Sequence, residues 1–164
     1  SELYNNGVIK GKTEKLFVPS DNVLREEIVK MIIKAFEIEI IDGDSNFEDV
    51  PQDSWFRPYI VTAKKNGIIS GMYENVFGTG AIASRQDIAV ILYNTLKFSG
   101  ADMTCSIKIT APDGNEVSDY ANEAVSFMIE KGIIRGNENG FILPKSYATR
   151  AEVAVMIGRI CEQY

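Results

Sequence analysis

The sequence predicts an all-α protein built from three helix–loop–helix repeats, and three observations carry that reading. One hexapeptide pattern recurs as Asn6-Gly7-Val8-Ile9-Lys10-Gly11, Asn66-Gly67-Ile68-Ile69-Ser70-Gly71 and Lys131-Gly132-Ile133-Ile134-Arg135-Gly136. An arginine follows the first glycine of each by 18 residues, at Arg25, Arg85 and Arg150. Beyond each arginine the apolar residues fall at helical spacing: Ile28, Met31, Ile32, Ala35 and Phe36; Ile88, Ile91, Leu92 and Leu96; Val153, Met156, Ile157 and Ile160. A lone Gly-Ile-Ile-x-Gly would be chance, whereas a shared offset in three copies is a structural period.

Each copy reads as helix, tight loop, helix. The first helix is marked by Ile60, Ala63 and Lys64 in copy two and by Ala121, Ala124, Val125, Met128 and Ile129 in copy three. It ends at the Asn66-Gly67 or Lys131-Gly132 pair, where glycine takes the left-handed C-cap conformation without a Cβ clash. Trp55 and Tyr120 stand 12 residues before those glycines. In copy one that position falls before residue 1, so its first helix is expected to be missing beyond Ser1-Glu2-Leu3-Tyr4. Between loop and arginine comes an aromatic in a turn-rich stretch: Phe17-Val18-Pro19, Phe77-Gly78-Thr79 and Phe141-Ile142-Leu143-Pro144. The second helix starts at the arginine. Thr149-Arg150-Ala151-Glu152 is a capping box and Ser84-Arg85-Gln86-Asp87 is the same device with a shorter acid. Leu24-Arg25-Glu26-Glu27 lacks the hydroxyl, a loss of roughly 1 kcal/mol. Helices of about 14 residues, roughly 21 Å long, are too short to stand alone, so their apolar faces must meet in a shared core.

The linkers are polar and turn-rich. In the first, Asp42, Asp44, Asn46, Glu48 and Asp53 fit the ligand positions of a calcium loop in outline. Phe47 stands where that loop needs glycine, however, and Asp53 replaces the long bidentate glutamate, so a solvated loop is the preferred reading. The second linker holds Ile107-Lys108-Ile109-Thr110, a short alternating run compatible with an extended segment, and then an Asp113-Gly114 turn.

Composition narrows the function. The chain has 164 residues, 45% hydrophobic and 24% charged, with a net charge of −6 and no histidine. A pI near 4.8 argues against binding nucleic acid through massed Lys and Arg. Without imidazole there is no His-based zinc site, no Ser-His-Asp or Cys-His pair and no histidine proton shuttle. A glycosidase-like hydrolase needs only two carboxylates, and Glu48, Asp49 and Asp53 are its candidates. Repeated small helical units rarely build the deep pocket such an enzyme needs, so the expectation is a binding protein with no catalytic residues, cofactor or metal. Cys105 and Cys161 are too few for a disulfide framework; they either pair or act as small hydrophobes. No apolar run approaches a membrane span and no signal-peptide pattern opens the sequence.

Phe47-x-Asp49-Val50-Pro51-x-x-x-Trp55, Gly67-Ile68-Ile69-x-Gly71, Phe77 and Ser84-Arg85-x-Asp87 together resemble a surface-layer homology (SLH) module. Tyr120-Ala121-x-Glu123-Ala124-Val125, Lys131-Gly132-Ile133-Ile134-x-Gly136, Phe141-x-x-Pro144 and Thr149-Arg150-Ala151-Glu152 resemble it more closely, and copy one is similar from Asn6 onward. The resemblance implies three modules, over residues 1–44 (lacking the first helix), 45–100 and 101–164, arranged as a pseudo-threefold spindle. It also implies an extracellular role at the Gram-positive cell surface: non-covalent anchoring to secondary cell-wall polysaccharide carrying ketal-linked pyruvate, bound in grooves between modules. The family's ligand-contacting arginine carries over to Arg150, to Arg85 and, through a weaker motif, to Arg25. Asp49 and Trp55 match the family's FxDVPxxxW segment, Gly71 and Gly136 its groove glycines, and Gly11 the same position in copy one. Ser84 and Thr149, beside the arginines, and Tyr120, in place of the tryptophan, complete the candidate ligand set. Asp113 corresponds approximately to Asp49. Copy two departs from the family's proline-containing turn with Gly78-Thr79-Gly80, so its loop is expected to be looser.

The residue chemistry suits such a ligand. A pyruvate ketal is a carboxylate on a sugar, and a guanidinium fork matches a carboxylate. An arginine in the first helical turn adds free amides and the helix dipole, glycines admit the sugar, and Trp55 or Tyr120 can stack on a pyranose. The incomplete first copy leaves two competent grooves at most, led by Arg85 and Arg150. The alternative is a protein-interaction or oligomerisation module, with the incomplete copy inviting a homo-oligomer by domain swap.

Overall fold

The computed structural model describes residues 20–164. The hexapeptide of copy one with Gly11, and the Phe17-Val18-Pro19 stretch, lie outside the described residues. Five α-helices follow in order: α1 (Arg25–Ala35), α2 (Arg57–Lys65), α3 (Arg85–Phe98), α4 (Asn122–Glu130) and α5 (Arg150–Cys161). Two 3₁₀ turns, Gly114–Glu116 and Asp119–Ala121, lead into α4. Among the described residues there are no strands, only four isolated bridges, three of them between repeats and one, Tyr73 with Val76, within copy two. The fold is all-α.

The three second helices begin at Arg25, Arg85 and Arg150, as the shared offset predicts. Ser84 Oγ and Thr149 Oγ1 accept from the amides of Asp87 and Glu152, while those acids accept from the backbone N–H of Ser84 and Thr149. α1 has half of this device, because Glu27 accepts from Leu24 N–H but Leu24 has no hydroxyl to return. The first helices, α2 and α4, are shorter than the expected length at 9 residues each. Turns precede both, and Pro58 sits in the first turn of α2, where its missing N–H costs nothing. Both end at the predicted glycines, Gly67 at φ +70° and Gly132 at φ +66°, with the amide of the next residue, Ile68 or Ile133, closing back onto the helix.

Packing is cyclic. Val23 N–H donates to Ala148 O at 3.2 Å, Ala148 N–H to Ala83 O at 3.4 Å, and Ala83 N–H to Val23 O at 3.2 Å. Each of these residues precedes a second helix by two positions, and all three are fully buried. The arginine amides donate around the ring in the opposite sense: Arg25 to Ala81, Arg85 to Ser146 and Arg150 to Asp21. This closed triangle is the pseudo-threefold axis of the spindle. Around it α2 packs on α1 and α4 on α3, and one core takes in Ile28, Ile32, Ile60, Phe77, Ile88, Leu92, Phe127, Ile133, Val153 and Ile157.

One sequence expectation needs correction. The turn-region residue of copy three that corresponds to Phe77 is Ile142, not Phe141: Ile142 is buried while Phe141 is 38% exposed. The register is fixed by hydrogen bonds, since Arg25 Nε donates to Phe77 O and Arg85 Nε to Ile142 O. The 107–110 run pairs with no described strand, and the amides of Ser106 and Ile107 are held by Glu130 at the end of α4. Cys105 and Cys161 are free thiols.

Candidate functional site

Among the described residues the three arginines are the buried cations, with Arg25 6%, Arg85 9% and Arg150 5% exposed. Each crosses from its own repeat to the next. Arg85 Nε donates to Ile142 O at 2.9 Å and Nη1 pairs with Glu152 at 2.7 Å. Arg150 Nη1 pairs with Glu27 at 2.7 Å. Arg25 Nε donates to Phe77 O at 3.1 Å, and its guanidinium lies 5.3 Å from the Phe77 ring centre. The acid facing Arg25 is Asp87, one methylene shorter than Glu152 or Glu27. Its Oδ2 accepts from Ser84 and its Oδ1 from the Tyr120 hydroxyl at 2.8 Å. Arg25 consequently makes no ion pair within 4.0 Å among the described residues. Burial pulls its pKa below the ordinary value, and Asp87 is the leading charge that opposes the shift.

Arg25 heads a groove of about 360 Å³ walled by Ser70, Gly71, Met72 and Tyr73 from the copy-two loop, Asp87 and Asn94 from α3, and Tyr120 from copy three. Gly71 holds φ +95°, and a Cβ there would lie 2.7 Å from Val76 O and from Phe47 Cε1, so only glycine shapes this wall. Tyr120 exposes 61% of its surface yet anchors its hydroxyl, donating to Asp87 and accepting from Gln86 Nε2. Burial, then the bond to Asp87, pushes its pKa up to about 12, so it stays a neutral donor.

The same positions one repeat later form a second groove of about 310 Å³, lined by Arg85, Arg135, Gly136, Glu152, Val155 and Arg159. The corresponding hexapeptide of copy one, with Gly11, lies outside the described residues. Trp55, the counterpart of Tyr120, is 55% exposed, with Lys30 Nζ 4.8 Å over its ring; its neighbour Phe56 is the one buried in the core. The sequence-based order of the grooves puts Arg85 and Arg150 ahead of Arg25. Arg25, assigned by the weakest motif, is the arginine whose charge faces a cavity without a paired carboxylate.

Three candidate residues do structural work at the edge of this region. Asp49 accepts from three consecutive backbone amides, Phe77, Gly78 and Thr79, at 2.8, 2.7 and 2.7 Å. Burial raises its pKa, but these bonds outweigh it and hold the carboxyl below the usual range. The loop expected to be loose is therefore the more firmly tied one, since Asp113 holds only two amides, Ile142 and Leu143. Ser84 and Thr149 spend their hydroxyls on the capping boxes. Sequence reasoning missed Gln86, Asn94, Met72 and Tyr73. Of these, Asn94 had a findable signal, since it lies at the position that Arg159 occupies one copy later. No group of three or more acidic or thiol side chains converges to hold a metal among the described residues, and Asp44 of the linker is engaged by Asn46 N–H. None of the described helices is long and apolar enough to cross a membrane.

A family model for the S-layer homology domain matches residues 1–29, 46–89 and 112–154. Among curated relatives, exoglucanase XynX of Acetivibrio thermocellus is 30% identical over 98% of this chain and 15% of its own length. The surface-layer 125 kDa protein of Lysinibacillus sphaericus is 29% identical over 98% of this chain and 13% of its own. The cellulosome-anchoring protein of Acetivibrio thermocellus is 22% identical over 94% of this chain and 35% of its own. The chain thus spans a minor part of each.

Proposed function

This chain belongs to the S-layer homology domain family, and from that premise we propose that it is a non-catalytic cell-surface anchoring module that binds pyruvylated cell-wall polysaccharide in its inter-repeat grooves. Relatives named for the surface layer and for anchoring support the anchoring role, and the part they share with this chain is confined to a segment of each. The enzyme name of the exoglucanase carries no activity to this chain, which corresponds to 15% of it.

The observation that carries the ligand assignment is Arg25. Its Nε and aliphatic stem are fixed by Phe77 and the core, so the guanidinium is ordered before any ligand arrives. Its charge is desolvated, and an incoming carboxylate supplies the anion that Asp87, tied to Ser84 and Tyr120, does not bring within pairing distance. Gly71 lets the sugar approach the backbone, Asn94 and Ser70 offer neutral hydrogen-bonding groups, and Tyr73 and Tyr120 offer aromatic faces.

Calorimetric titration with purified wall polysaccharide, intact and stripped of pyruvate, tests this reading. Intact polymer binds the native chain, removal of pyruvate weakens binding by at least about tenfold, and Arg25→Lys loses a comparable factor while retaining its fold by circular dichroism. Equal binding of both polymers would remove the arginine–carboxylate mechanism.

A further inference from the structure

The two described grooves are built on one plan but carry different charge. In the Arg25 groove the flanking positions are Ser70 and Asn94; one repeat later they are Arg135 and Arg159. Asn94 Nδ2 donates to Ile68 O at 3.1 Å, and Arg159 Nη1 donates to Ile133 O at 2.7 Å. Arg159 therefore makes the same structural bond as Asn94 and brings a full charge and further N–H donors in addition. Arg135 Nε is fixed on Gly132 O at 3.1 Å. Neither Arg135 nor Arg159 makes an ion pair within 4.0 Å among the described residues. The groove's one carboxylate, Glu152, is already engaged, by Arg85 on one oxygen and by Thr149 on the other. Three guanidinium groups thus share a cavity with a single neutralised acid, in a chain whose net charge is −6. Such convergence of like charge, with Arg135 and Arg159 unpaired, is unfavourable in the empty protein and is relieved by an anion.

We infer that the Arg85 groove is a second anion site of different specificity: it takes a doubly charged group on the glycan, a phosphate-type dianion, whereas the Arg25 groove takes a single carboxylate. Arg135 and Arg159 are its specificity-determining residues. The inference rests on the reading that these grooves receive wall glycan, but its test uses inorganic phosphate and does not depend on polysaccharide binding.

The test is an NMR titration of the full ¹⁵N-labelled chain at low salt and pH 8, with inorganic phosphate as dianion and acetate as monoanion. Amide shifts of Ile133 and Gly136 report the second groove, and those of Ile69 and Gly71 the first. Phosphate should saturate the second groove at a concentration at least about tenfold lower than the first, and acetate should show no such preference. The double substitution Arg135→Ser with Arg159→Asn, which copies the first groove and preserves the bond to Ile133 O, should abolish that difference at unchanged melting temperature. Equal phosphate affinity in the two grooves, binding at neither, or a preference that survives the double substitution each overturns the assignment.

Discussion

Replacing Asp49 by asparagine removes one charge and reverses one hydrogen-bonding group, and the structure shows what each change costs. Oδ2 accepts from Gly78 and Thr79, and Oδ1 from Phe77. Asparagine serves best by keeping its oxygen on Gly78 and Thr79, which turns its NH₂ against the Phe77 amide. Two bonds then lose charge assistance, about 1 kcal/mol each, and one amide is left facing a donor, about 1–3 kcal/mol. Asp49 is only half-buried, so screening favours the lower end, and the net loss is about 3 kcal/mol. For a chain of this length that lowers the melting temperature by about 5–10 °C. The pH dependence has a definite sign. The folded pKa lies below the usual aspartate value of 3.8, so the contribution is complete above that value and is lost as pH falls through the lower, folded one. A protonated aspartic acid is nearly isosteric with asparagine, so the gap between the two proteins should close only below about pH 4. Thermal melts followed at 222 nm from pH 7 to pH 3 measure this. An unchanged melting temperature at pH 7, or a gap that closes between pH 5 and pH 7, refutes the clamp.

The remaining expectations concern the groove wall and the caps. Gly71→Ala forces a Cβ against Val76 O and Phe47 at a positive φ, so it should destabilise by about 2–4 kcal/mol and weaken polysaccharide binding, read by melting and calorimetry on the same sample. Ser84→Ala and Thr149→Ala should each cost about 1 kcal/mol in denaturant unfolding and leave polysaccharide affinity within twofold. A large affinity loss at full stability would return those hydroxyls to the ligand.

Helix starts and stops were legible because they are local. A hydroxyl, an arginine and an acid within four residues define the N-cap, and a glycine at positive φ defines the end. The one-residue error at Phe141 arose in a loop, where no periodicity marks the inward position. There the register is set by Asp113 and Arg85, 29 and 57 residues away in sequence. The roles of the arginines were hidden for the same reason. That Arg150 meets Glu27, 123 residues distant, is a property of closure around the axis that a repeat-by-repeat reading does not contain. The sequence ranked the grooves by motif quality, whereas what separates Arg25 from Arg85 in the structure is one methylene between Asp87 and Glu152 together with the Tyr120 hydroxyl, which reaches Asp87 from a third repeat. Asp49, Ser84 and Thr149 were read from the sequence as ligand-contacting residues, whereas the structure shows them holding the backbone that presents Arg25, Arg85 and Arg150.

The triangle of Val23, Ala83 and Ala148 also bears on how the chain folds. A linear repeat array grows by adding neighbours, and its ends can fray while the middle persists. Here each repeat both donates to one neighbour and accepts from the other, so removing any one leaves a donor and an acceptor stranded in an apolar centre. Two-thirds of the ring is not a smaller version of the same structure. Closing it requires residues 23 and 148 to meet, a long-range contact that slows folding and is rewarded only when the third side forms. The chain should therefore melt as one cooperative unit, with no stable one- or two-repeat species. A load applied to one repeat of such an anchor would be shared through the axis by all three.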